Sequence, residues 1–135
     1  MKKFLILLSL IFISFYGNTQ SFYKVTNTEL YLWNEESEEW KLYQKLSDLS
    51  INLCVEEEFV TIFAKSPSMY KIYNTTKTDI STKTLIGNRY VALDLKKGVE
   101  VKIDIMRLRE NANGAMLSVV NSKEGFNQRF FLVVE

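Results

Sequence analysis

Histidine is absent from this chain of 135 residues, and cysteine and proline occur once each. Without histidine there is no Ser-His-Asp or Cys-His nucleophile pair and no His/Cys zinc set. A single cysteine cannot make an internal disulfide. Glycine is scarce, at five residues, and neither a Gly-rich phosphate loop nor a Gly-x-Ser-x-Gly elbow occurs. No strong charge of one sign is present either, since 17 basic residues face 16 acidic ones. Those absences argue against the common hydrolase, metalloenzyme and nucleotide-binding chemistries, and no cofactor is expected. What is present is ordinary globular material: 47% hydrophobic and 24% charged residues.

The one long apolar run is at the N-terminus. Lys2 and Lys3 precede Phe4–Phe15, which is broken only by Ser9 and Ser14, and Gly17-Asn18-Thr19 follows. Positive, apolar and small-residue segments in that order predict a signal peptide over 1–19. The competing reading is a retained anchor. Twelve to sixteen apolar residues rise only about 18–24 Å as a helix, short of a hydrocarbon core of about 30 Å. Cleavage is therefore the expectation, leaving no stable membrane span and a single all-β domain over 20–135. Without Lys2 and Lys3 the basic count falls to 15 and the net charge to about −1. Such a balance gives no general pull toward nucleic acid, and none is expected as a partner. The expected location is the periplasm or the cell exterior.

The rest of the chain alternates with period two. Val99, Val101, Ile103 and Ile105 are separated by Glu100, Lys102 and Asp104. That is a strand with one dry face and one wet face. The pattern slips at Leu108, which predicts a β-bulge or a bend after Ile105. Glycines are read as turn markers, and Gly98, Gly114 and Gly125 separate four C-terminal strands at 89–95, 99–109, 115–121 and 126–134. Earlier strands are predicted at 22–34, 40–47, 49–55, 59–64 and 68–74, with an acidic hairpin tip at Glu35–Glu39. Leu42, Leu46 and Leu49 also fit a helix over 38–49. Thr75–Thr84 is the longest polar stretch and predicts a loop. About eight or nine short strands imply a single small antiparallel barrel or sandwich with a C-terminal meander. In a narrow barrel side chains fill the interior, so any internal cavity is small.

Three constellations and one lone thiol carry candidate chemistry. The acidic turns at 35–39 and 56–58 lack the Asp-x-Asp-x-Asp-Gly spacing of a calcium loop and read as solvated turns. Glu100 and Asp104 share a strand face about 13 Å apart, too far for a paired-carboxylate hydrolase. Asp94 on the preceding strand could approach either one. Lys102, Arg107, Arg109 and Arg129 suggest a modest anion patch, or cross-strand partners for Glu100, Asp104 and Glu110. Cys54 faces away from Leu53 and Val55, as a half-buried thiol or an intermolecular bridging site.

Aromatics give the best surface candidate. Trp33 and Trp40 fall near a hairpin mouth as cross-strand neighbours. Core packing of one tryptophan is the plain reading, because large aromatics dominate burial. The functional alternative is an exposed recognition surface of Tyr31, Trp33 and Tyr43, which Tyr70, Tyr73 and Tyr90 could extend.

The layout resembles a group of small exported β-domain proteins of Gram-negative bacteria. The resemblance rests on a leader, a strand ending in tryptophan, an acidic turn, an aliphatic strand, and the stretch Phe59–Ile72 (FVTIFAKSPSMYKI). Ala92 and Asp94 stand where members of the group often carry Trp and Cys. The group has no assigned activity, so the resemblance implies a fold type and an export route and no functional residues. The leading expectation is a non-catalytic exported domain that binds a protein partner in the cell envelope. The alternatives are a small-ligand or carbohydrate-binding module and an inhibitor or immunity-type protein of an envelope enzyme. A hydrolase using carboxylates alone is a further alternative.

Overall fold

The computed structural model describes residues 21–47, 50–110 and 114–134. The leader over 1–19 and the Asn111–Asn113 turn lie outside the described residues. Among those described, every regular element is a strand: β1 (Ser21–Asn34), β2 (Glu39–Ser47), β3 (Asn52–Val55), β4 (Phe59–Phe63), β5 (Ser68–Asp79), β6 (Leu85–Asp94), β7 (Val99–Leu108), β8 (Gly114–Asn121) and β9 (Phe126–Val134). From β3 to β9 each strand pairs antiparallel with the next, and β1 pairs with both β3 and β9. Eight strands thus close into an up-and-down barrel, and the sandwich alternative is excluded. Accordingly, no helix among the described residues is long and apolar enough to cross a membrane.

β1 is long enough to serve two neighbours on one edge. Its first residues, Ser21–Lys24, pair with β3. Its later residues, Asn27–Asn34, pair with β2. β2 is therefore a ninth strand outside the closed circuit, held to the barrel only through β1. The helix considered over 38–49 does not form. The hairpin register places Trp33 opposite Trp40 and commits the segment to the pleat.

Alternation decides what fills the barrel. The inner phase supplies Val25, Leu53, Val60, Ile72, Ala92, Val101, Ile103, Leu117, Val119, Phe130 and Leu132, all essentially buried. Residues opposite one another, such as Tyr90, Ile103 and Val119 on β6, β7 and β8, pack as lateral rows. The predicted bulge after Ile105 is absent, because β7 pairs without interruption from Val99 to Leu108. Leu108 simply occupies the outer phase and is exposed. The predicted loop over 75–84 shortens, because β5 continues to Asp79. Here Thr76 replaces main-chain pairing: its hydroxyl donates to Tyr73 O at 2.5 Å and accepts from Val91 N at 2.8 Å. A bulge between Tyr73 and Thr78 results. Gly87, read as a turn glycine, lies instead within β6, where an added Cβ would collide with Met106 Cγ.

Three hairpin tips at one rim share a five-residue frame. In each, an Asn or Asp at the first position accepts from main-chain N–H groups: Asn34 from Glu36 and Ser37, Asp94 from Lys96 and Lys97, and Asn121 from Glu124. The fifth residue has positive φ: Glu38 at 53°, Gly98 at 69° and Gly125 at 73°. Short Asx side chains favour such turns, and the left-handed position favours glycine.

Candidate functional site

Two features of the outer face stand out, and both involve β2. The first is the β1–β2 arm. β2 uses one edge to pair with β1, and its other edge has no strand beside it among the described residues. Every residue of β2 except Trp40 is exposed. Leu42 and Tyr43 oppose the single residue Tyr31 across a bulge, and Tyr43 is 69% exposed. Leu32, Trp33 and Leu46 add exposed apolar surface to the arm. An unpaired strand edge with exposed apolar side chains is one that folded proteins usually cover. Lys41 and Lys45 are the only charges on β2 past Glu39.

The second feature is a cleft of about 380 Å³ on the outer face of β6–β9, with Trp40 reaching in from β2. Strand registers build it as a ladder. Arg89, Asp104, Ser118, Arg129, Glu29 and Lys45 lie side by side across six strands. Outer positions are normally wet, yet Asp104, Ser118 and Asn127 are each at most 7% exposed. Long neighbours cover them: Met106, Met116 and Trp40 form apolar walls. Arg89 holds both carboxylate oxygens of Asp104, at 2.6 and 2.8 Å, in the two-pronged geometry natural to guanidinium. That contact raises the Arg89 pKa further above its ordinary value, against the opposing effect of burial. Ser118 Oγ donates to Asn127 Oδ1 at 2.6 Å.

Arg129 is placed differently. Its guanidinium lies 4.6 Å from the centre of the Tyr31 ring, a cation–π contact. The adjacent Glu29 is already engaged, accepting from Tyr31 OH at 3.0 Å and pairing with Lys45 at 3.4 Å. Among the described residues the ion pairs are Lys45–Glu29, Arg89–Asp104 and Lys97–Glu124. Arg129 and Lys102 therefore bring two cations to the cleft with no carboxylate of the described chain paired to them.

The three residues predicted as a recognition surface are brought together, in altered roles. Tyr31 and Trp33 share the outer phase, and Tyr43 sits at the bulge opposite Tyr31. They make no flat platform. Trp33 packs edge-on to Trp40 at 5.3 Å and 71°, and Tyr31 is occupied by Arg129 and Glu29. The core reading of the tryptophans is corrected, since both lie on the outer phase. Tyr70 is buried inside the barrel and Tyr90 packs against the core, so neither extends the surface. Of the anion patch, Lys102 and Arg129 meet in the cleft. Arg109 lies elsewhere, donating from Nε to Thr82 O at 2.9 Å. Asp104 takes Arg89 as its partner, a pairing that counting outward from the Asp94–Gly98 turn would have reached. Asp94 and Asp104 occupy opposite phases of the sheet, and Asp94 is spent on its turn.

Cys54 is 3% exposed, which rules out a ready intermolecular bridge. Burial, and then the nearby Glu56 carboxylate, push its thiol pKa up. No cluster of three or more potential metal ligands occurs among the described residues. Comparison with protein-family models, curated proteins and solved structures finds no match.

Proposed function

We propose that this chain is a non-catalytic, exported recognition domain that binds a protein partner in the cell envelope by adding one of the partner's segments to the open edge of β2. The single observation carrying this reading is that edge: nine residues of strand with one side unpaired, flanked by exposed Leu42, Tyr43 and Leu46. Main-chain groups supply affinity in strand addition, and side chains on alternate positions supply selectivity. A second copy of this chain is disfavoured in the register centred on Tyr43. Antiparallel self-pairing centred on Tyr43 sets Lys41 of one copy against Lys45 of the other, a like-charge contact. The complementary occupant is an extended segment carrying aliphatic and acidic residues.

The export half of the reading is supported by the Lys2–Lys3, Phe4–Phe15 and Gly17–Thr19 order and by the resemblance to small exported β-domain proteins. The test is capture from envelope extract followed by amide exchange on the purified complex. A stoichiometric partner should protect the amides of residues 41–45, and Tyr43→Glu should abolish capture. Absence of such a partner, or protection confined to another face, would overturn the proposal. A partner that proves to be an envelope enzyme, with its turnover suppressed in the complex, would make this domain its inhibitor.

A further inference from the structure

We infer that the outer cleft beneath Trp40 is a binding site for a carboxylated sugar, a site independent of the β2 edge. Four observations converge on that class of ligand. The floor is polar and buried: Ser118 and Asn127 are bonded to each other, yet an amide and a hydroxyl retain further capacity to donate and accept. Buried hydrogen-bonding groups on the outside of a sheet are unexpected for a merely solvated face and suit ring hydroxyls. The walls are apolar and aromatic, with Trp40 held edge-on by Trp33, so one indole face is set by packing rather than by chance. At about 380 Å³, the cleft lies within the range of about 300–1,000 Å³ typical of small-molecule sites.

Charge narrows the class. Arg89 is consumed by Asp104, which leaves Arg129 and Lys102 as the cations for a ligand. Arg129 is fixed over Tyr31, so its planar fork is oriented before anything binds. One oriented guanidinium plus one flexible ammonium match one carboxylate. Phosphate is the weaker fit. Phosphate sites draw on main-chain N–H groups at glycine-rich turns or helix N-termini. Here the strands under the cleft spend their main-chain groups on the β6–β9 ladders.

The test is fluorescence titration, because Trp33 and Trp40 are the only tryptophans. Trigalacturonate is the acidic probe, maltotriose the neutral one and inorganic phosphate the control, at low ionic strength. Saturable change with trigalacturonate is expected, with maltotriose and phosphate at least about tenfold weaker. Arg129→Gln should weaken trigalacturonate by about tenfold or more, and added salt should act in the same direction. Lys102→Gln, at an exposed position, is the second variant should Arg129→Gln fail to fold. Leu46→Glu, opposite Thr28 on the phase of β2 turned away from Trp40, should leave sugar binding unchanged while impairing capture, which separates this site from the β2 edge. No saturation by about 10 mM trigalacturonate, equal affinity for the neutral sugar or for phosphate, or a folded charge variant that binds like the wild type would each overturn the inference.

Discussion

Replacing Glu38 by glycine should stabilise the protein, and the three related hairpin tips set the size of the gain. Glu38, Gly98 and Gly125 occupy the same place in the same five-residue frame, and all have φ between 53° and 73°. Two of the three are glycine. A side-chain-bearing residue in the left-handed region costs about 1–2 kcal/mol. Glycine returns about 0.5–1 kcal/mol of that through the larger freedom of its unfolded chain. The net expectation for Glu38→Gly is a gain of about 0.5–1 kcal/mol. Glu38 is exposed, and no hydrogen bond of its side chain offsets the strain. The turn also carries Glu35, Glu36 and Glu39, so removing one negative charge could itself help. Glu38→Gln isolates that effect, since it keeps the backbone penalty and drops the charge. Gly98→Ala is the mirror control: an added Cβ meets nothing within 4 Å, so its cost is purely conformational, at about 1 kcal/mol or more. Urea unfolding with a shared m-value reads all three. If Glu38→Gly leaves the midpoint unchanged while Gly98→Ala lowers it, the frames are not equivalent and the backbone reasoning fails. If Glu38→Gln stabilises as much as Glu38→Gly, charge is the cause and φ is not.

Other perturbations probe the core and the ladder. Burial, and secondly the charge of Asp94, push the Tyr70 pKa from 10.0 up to about 12, opposed by a hydrogen bond with Ser68. A raised folded-state value means that the unfolded chain ionises first. Stability is therefore whole below pH 10 and falls between pH 10 and 12 by about 2–3 kcal/mol, and Tyr70→Phe should flatten that part of the pH profile in equilibrium unfolding. Cys54, buried and raised in pKa, should react with iodoacetamide at pH 8 more than about tenfold slower in the native protein than in urea; equal rates would show that β3 opens readily. Arg89→Met strands the buried Asp104 carboxylate and should cost about 1–3 kcal/mol, the half-exposed Arg89 keeping the loss below that of a fully buried pair. Adding Asp104→Asn to Arg89→Met should recover part of the loss, and a double-mutant cycle in urea with no coupling would show the pair to be incidental.

The dry face of each strand was legible because alternation is a local property. Val99 to Ile105 could be read as one inner row without knowing what lay opposite. Hairpin registers were legible to the same degree, since Trp33 and Trp40 are equidistant from their turn. Closure was not legible. The β1–β9 and β1–β3 pairings join segments about a hundred and about thirty residues apart, and no local pattern specifies them. Two local readings failed for related reasons. Thr75–Asp79 has the polarity of a loop, but the Thr76 hydroxyl stands in for a backbone group, which polarity does not reveal. Leu108 mimics a bulge because a leucine exposed at a strand end has the same sequence signature as an inner one.

The candidate site was harder to read than the core, and the cause is physical. Alternation separates inner from outer, but it does not say which outer residues become dry. Asp104, Ser118 and Asn127 are buried in a cleft that Arg89, Met106 and Met116 line, and Trp40, on a strand outside the circuit, lines the same cleft. That depends on β1 being long enough to carry β2 beyond the end of β3, which is a consequence of strand lengths and barrel shear rather than of any motif. The same extra strand therefore supplies an open edge on one side and the roof of a polar cleft on the other. An eight-stranded barrel would be complete without it, since β1 already closes the circuit with β3 and β9. β2 therefore adds nine residues that do little for closure and expose Leu42, Tyr43 and Leu46 to water, and the proposed strand addition would give that exposure a use.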